Sequence, residues 1–213
     1  MNRKLIATLI LALSPLAAQA TVRDEVRRDL DEARQEVRTE MAQERAKLDS
    51  GNLTLGDSLQ FDKEDRREAA KRESLPKGEI TPQGDLLVGG KPVAIDAAQR
   101  RQLLDYRKQV IGLARTGIDA GEHAAMLAIE ATDVSLFRLI VGGLTGSLER
   151  RVEATVQRDI QPAVLRICRQ LPQLRDSQQA LTVSVPEFRP YATLDEHDVE
   201  DCERDIRHDL ATR

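Results

Sequence analysis

Apolar side chains in this chain recur in steps of four and three over unusually long charged stretches, and that spacing allows little besides helix. Between residues 21 and 48 they stand at Val22, Val26, Leu30, Ala33, Val37, Met41 and Leu48. The rhythm returns at Leu148, Val152, Val156, Ile160, Ala163, Ile167, Leu171 and Leu174. A 4-4-3 repeat averages about 3.67 residues, so each stripe stays on one side of a nearly straight helix. The first stripe is narrow and flanked by charge. Asp24 and Glu25 can pair with Arg28, Asp31 with Arg34, and Glu44 with Lys47 along the surface. Such a helix suits contact with another helix, in this chain or, as in a coiled coil, in a second copy.

A second helical region opens at Asp96, a ready N-cap with Gln99 three residues later as its capping-box partner. Leu103, Leu104, Val110, Ile111, Ala114 and Ile118 then share one face. Ala124 to Val141 is apolar on most sides but carries Glu130, Asp133 and Arg138, which predicts a buried helix rather than a membrane span. Gly142-Gly143 predicts a bend or break. Pro162 predicts a kink or a new segment in the helix that follows. After Pro186 and Pro190, Leu194 to Leu210 reads as a final charged helix.

Strand signals are confined to one place. Glu79-Ile80-Thr81, Leu86-Leu87-Val88 and Lys91 to Ile95 are separated by Pro82-Gln83-Gly84-Asp85 and by Gly89-Gly90. Both separators are turn sequences, and Pro92 puts the last strand at an edge. The fold class is therefore predominantly α with a small β-meander (α+β): long helices, including the charged N-terminal one, around a helical core. The expected division is a signal peptide over 1–20, the amphipathic helix over 21–50, a polar linker over 51–77, and a meander plus helical domain over 78–213.

The first twenty residues carry the signs of Sec export. Arg3 and Lys4 precede the apolar run Leu5 to Leu13, Pro15 breaks it, and Ala18-Gln19-Ala20 places small residues where a signal peptidase cuts. A run of nine residues is too short to span a bilayer, which takes roughly twenty. Cleavage after Ala20 leaves 193 of the 213 residues, beginning at Thr21, and a periplasmic protein is expected. In an oxidising compartment the even pair Cys168 and Cys202 reads as a disulfide.

Without Arg3 and Lys4 the chain has 30 basic against 36 acidic residues, and no basic run. Nucleic-acid binding needs clustered Lys and Arg, so it is not expected. The five aromatics (Phe61, Tyr106, Phe137, Phe188 and Tyr191) offer little stacking surface, and Trp is absent.

Ile80-Thr81-Pro82-Gln83-Gly84-Asp85-Leu86, Gly90-Lys91, Ala97-Ala98-Gln99-Arg100, Asp105-Tyr106 and Ile118-Asp119-Ala120-Gly121 follow one another in an order and spacing that resembles the YggN-like family of bacterial periplasmic proteins. The likeness spans roughly residues 79 to 130. It implies a periplasmic protein of a family without established activity, catalytic residues or ligand. The long charged first helix and the late cysteine pair depart from that family's pattern.

Gly56-Asp57-Ser58-Leu59 resembles the nucleophile block of the GDSL (SGNH) hydrolases, and Asp205-Ile206-Arg207-His208 supplies an Asp-x-x-His of the spacing that family uses. A serine nucleophile also needs oxyanion donors. The family takes one from an Asn, whereas Asn52 is the only Asn after the leader. The match reads as accidental, and no catalytic residues are expected. His197, Asp201, Arg204 and His208 share a face of the last helix. Asp201 and His208 lie about 10 Å apart along its axis, too far to share one ion, so neither metal nor other cofactor is expected. His123 reads as a surface residue. Gly142-x-x-x-Gly146 reads as a hinge or close packing within one domain. Membrane-surface contact through Ala124 to Leu148 lacks the basic polar face such helices use and is not favoured. The functional expectation is a non-enzymatic envelope interaction or scaffold factor. Its contact surface, to a protein partner or a second copy, would be the Val22–Leu48 helix, and a small ester hydrolase using Ser58 is the alternative.

Overall fold

A computed structural model describes the backbone of residues 15–56, 75–141 and 147–211, with side chains over 24–56, 75–132, 158, 160–202 and 204. Helix α1 runs Pro15–Ser50 and strand β1 is Leu53–Thr54. Strands β2 (Gly78–Ile80), β3 (Leu86–Val88) and β4 (Lys91–Pro92) follow. Helices α2 (Ala97–Val141) and α3 (Ser147–Ser184) come next, then the 3-10 turn η1 (Pro186–Tyr191) and helix α4 (Glu196–Ala211). The chain is predominantly helical with one small antiparallel sheet, as the spacing of its apolar residues predicts.

The expected capping box opens α2. The amides of Ala98 and Gln99 donate to Asp96 Oδ1 at 2.7 and 2.8 Å, and Asp96 N–H donates to Gln99 Oε1 at 2.7 Å. Gln99 also donates its Nε2 to the carbonyl of Ser184 at the end of α3. One residue thus holds the start of α2 against the finish of α3. The two helices run antiparallel: Gln109 of α2 meets Ser177 of α3 as Gln102 meets Ser184.

Two elements run differently from the expected division. Pro162 starts no new segment: helix α3 passes through Pro162 and Pro172, each of which removes one N–H donor. Leu53–Thr54, expected within a polar connector, is instead an edge strand. The sheet order is β1-β2-β3-β4, so Pro92 stands at the opposite edge, as foreseen. Leu53 lies opposite Ile80 and Ile80 opposite Leu86, and all three are buried. The remainder of that connector, residues 57–74, and the Gly142–Gly146 turn lie outside the described residues.

Two glycines let the sheet meet its neighbours. Gly84, at φ +83°, ends the turn after Pro82-Gln83, and a Cβ there would stand 2.7 Å from Cγ of Leu104. Gly78 faces the Tyr191 ring, whose nearest carbon would be 2.7 Å from an added Cβ. The hydroxyl of Tyr191 donates to the carbonyl of Pro76 at 2.6 Å.

Among the described residues the core lies at one end of the long helices. Leu103, Tyr106, Val110 and Leu113 enter it from α2, and Leu171, Leu174, Leu181 and Val185 from α3 and its end. Leu53, Leu55, Ile80 and Leu86 close it on the sheet side, and Phe188, Tyr191, Leu194 and Val199 on the C-terminal side. Tyr106 and Phe188 meet edge to face, ring centroids 5.3 Å apart at 83°. Away from this base, the described side chains of α1 and those of α2 from Ala114 to Thr132 are half-buried or exposed. At 1.5 Å per residue the 45 residues of α2 extend about 68 Å, much of it beyond the base. No described helix is long and apolar enough to cross a membrane.

Candidate functional site

The expected contact surface, Val22–Leu48, is part of α1. Pro15 opens that helix, which runs on through Ala18-Gln19-Ala20. Residues 1–14 lie outside the described residues. Val26, Leu30, Ala33, Val37, Met41 and Leu48 are half-buried while the positions between them are mostly exposed, so the stripe is real. Toward the base, α1 packs antiparallel along α2 of the same chain.

Charge fixes that register. Arg45 rises from the stripe to Asp119 and Glu122, with Nη2 2.7 and 2.6 Å from their carboxylate oxygens. The Glu122 hydrogen bond first, then that of Asp119, hold the guanidinium above its usual pKa. One turn closer to the base, Arg115 pairs with Asp49. At the end of α1 the buried Arg107 sends Nη2 to the carbonyls of Leu48, Asp49 and Gly51, at 3.0, 3.2 and 2.8 Å. The last carbonyls of a helix lack partners within it and carry its negative dipole end, so a buried cation is well placed there. Of the expected surface pairs, Arg34–Asp31 and Lys47–Glu44 form, each at 2.6 Å.

Several of the residues that carry the family resemblance hold the fold together. Thr81 Oγ1 accepts the Asp85 N–H at 3.0 Å, closing the turn around Pro82-Gln83-Gly84. Arg100 of α2 pairs with Asp85 and donates to the carbonyl of Gln83 at 3.3 Å. The turn is thereby clipped to the first turns of α2, and Asp119 is the partner of Arg45.

The cysteine pair forms: Cys168 and Cys202 are disulfide-bonded, with Cα atoms 5.7 Å apart, and they join α4 to α3. Gln178 reinforces the same junction. It is buried, accepts the Leu194 N–H at 2.8 Å on Oε1, and donates Nε2 to the Tyr106 hydroxyl at 3.3 Å. Burial pushes the Tyr106 phenol above its usual pKa, with the Gln178 hydrogen bond opposing. A reading of the sequence misses Gln178 because it is polar, although it occupies the 171-174-178-181 register of the buried face.

On α4, His197 Nε2 lies 3.3 Å from Asp201 Oδ2, and Arg204 Nη1 lies 2.6 Å from Oδ1 of the same carboxylate. Asp201 thus has two protein partners on its own helix. Asp198 and Asp195 exchange side-chain-to-amide hydrogen bonds of 2.8 and 3.0 Å at the helix start. Burial holds the Asp198 carboxyl above its usual value, offset in part by the Asp195 amide. Among the described residues no group of three or more His, Cys, Asp or Glu is arranged to hold a metal. Ser58 lies outside the described residues, as do the side chains of Asp205 and His208. His123 is exposed. The chain matches no known protein family, no curated protein and no solved structure.

Proposed function

We propose that this chain is an exported, periplasmic protein that acts by binding a protein of the cell envelope, with the helices projecting from its base as the contact surface. One observation carries the reading: among the described residues the buried core is gathered at one end, while α1 and the adjoining length of α2 extend away with described side chains only half-buried or exposed. Helices that add little core of their own are economical only if their length or surface has a use. The leader-like first twenty residues, the disulfide and the YggN-like resemblance support the compartment. The apolar stripe of α1 lies against α2, so the surface offered to a partner is the opposite, charged face together with the half-buried edges of the helix pair.

The test places a photoreactive amino acid at Glu32 or Gln43, both exposed on α1, and at Lys91, exposed on the sheet edge of the base. In cells, discrete adducts from the two α1 positions and none from Lys91 are expected, on protein whose N-terminus is Thr21. Adducts from Lys91 alone would move the contact to the base. Retention of the leader would remove the compartment. Ester hydrolysis lost in both Ser58→Ala and His208→Ala would replace binding with catalysis.

A further inference from the structure

Between α2 and α3 lies an open groove of about 520 Å³ on the surface of the base. Its walls are amide-rich: Gln102 and Gln109 come from α2, and Gln170 and Gln173 from α3. Each glutamine offers one carbonyl acceptor and two N–H donors. The charged groups lining the groove are one acid and one base, Asp105 and Lys108, so the site favours neither an anion nor a cation. Gln109 donates Nε2 to Ser177 Oγ at 2.9 Å, but its Oε1 is buried and accepts no hydrogen bond among the described residues.

The groove stays open because its remaining lining is small. Gly112 sits in the middle of α2, where a Cβ would meet nothing within 4 Å, and Ala180 occupies the α3 side. Glycine inside a helix is less stable than alanine, and no close contact requires it at this position.

We propose that this groove binds an extended peptide segment, recognised through its main-chain N–H and C=O groups. A polypeptide backbone alternates donor and acceptor, which glutamine amides placed along both helices can match without regard to side chains. Length agrees: Gln102 to Gly112 covers about 15 Å of helix, the span of roughly four to five extended residues. No aromatic residue lines the groove, so a base or sugar ring finds no stacking surface there. The proposal rests on the binding reading above but places its ligand on the base, away from α1.

The experiment is a titration of the ¹⁵N-labelled protein with acetyl-Ser-Ala-Ser-Ala-Ser-amide, followed through backbone and glutamine side-chain amide resonances. Saturable shifts are expected at Gln109, Gln173 and Ser177. The same peptide N-methylated at alternate residues, which removes main-chain donors, should bind about tenfold more weakly or not at all. Gly112→Gln fills the groove at a site with room for the side chain and should abolish the shifts while keeping the wild-type melting temperature or raising it. Ala180→Gln, on an exposed position of the other wall, should do the same. Failure of the peptide to shift these resonances overturns the proposal, and so does binding indifferent to N-methylation or to both groove-filling variants. Shifts induced by maltotetraose but not by peptide overturn it in favour of a saccharide. Specific crosslinks from α1 with no peptide binding here would sink this inference and leave the binding reading standing.

Discussion

Arg107 Nη2 lies 2.8 Å from the carbonyl oxygen of Gly51, reaching from the buried side of α2 to the chain just past the end of α1. The same nitrogen also serves Leu48 and Asp49, so one guanidinium closes the helix end and ties it to the base. Arg107→Leu should lower stability by about 1.5–3 kcal/mol, the range for hydrogen bonds from a charged donor. Arg107→Lys, with a single donor centre, should fall between. Urea melts give the magnitude. Hydrogen exchange should show α1 losing protection before α3; equal loss throughout would mean that Arg107 acts on the whole core.

A chain starting at Lys77 tests how much of the base depends on what precedes it. Leu53 and Leu55 are both buried, and β1 covers the edge of β2. At about 1.5–3 kcal/mol for each buried leucine, removing them should cost about 3–6 kcal/mol. A chain starting at Asn52 keeps both leucines and should melt well above the shorter one. Equal melting temperatures would show that β1 contributes nothing to the base.

Reduction of Cys168–Cys202, or replacement of both by serine, should remove about 3–4 kcal/mol on the loop-entropy account of a 34-residue separation. The loss should appear first as faster exchange in α4. Undiminished protection of α4 after reduction would assign its docking to Gln178, Leu194 and Val199 instead.

Asp198 should leave a signature in the pH dependence of folding. Its folded pKa is raised by burial, so the favourable contribution of its protonated form is complete below the unfolded value, about pH 4, and is lost as pH rises through the folded value. Asp198→Asn cannot ionise and still offers an oxygen to the Asp195 amide. The difference in stability between variant and wild type should therefore shift in favour of the variant as pH climbs from about 4 toward neutrality. A difference that stays flat with pH would contradict the raised value.

Gln178→Leu should be destabilising by about 1–3 kcal/mol, because the Leu194 N–H it satisfies is left buried without an acceptor. It should also raise the Tyr106 phenol further, since the hydrogen bond that opposes burial is lost. Ultraviolet titration of the tyrosines reads this directly; an unchanged profile would mean that Tyr106 does not sense Gln178.

The helices, the capping box at Asp96 and Gln99, and the turns at Gly84 and Gly89-Gly90 were legible in the sequence because each depends on residues within a few positions of one another. Period, side-chain reach and backbone freedom are local properties. The cysteine pairing was legible for another reason: with two cysteines there is only one pair to make. β1 was not legible, although the alternation Leu53-Thr54-Leu55 was its signal. Two residues become a strand only where β2, some 25 residues later, offers an edge and the base offers a cavity for both leucines. Gln178 and Arg107 were missed for the same physical reason. A buried polar side chain is stable only when distant groups satisfy it, here the Leu194 amide in one case and the carbonyls ending α1 in the other. What covers the stripe of α1 was likewise settled by tertiary structure. Spacing alone determined that Val26, Leu30, Val37 and Met41 share a face, but only the placement of Asp119 and Glu122 across from Arg45 determined that α2 of the same chain covers it, because the register of two helices is set by charges and contacts far apart in sequence.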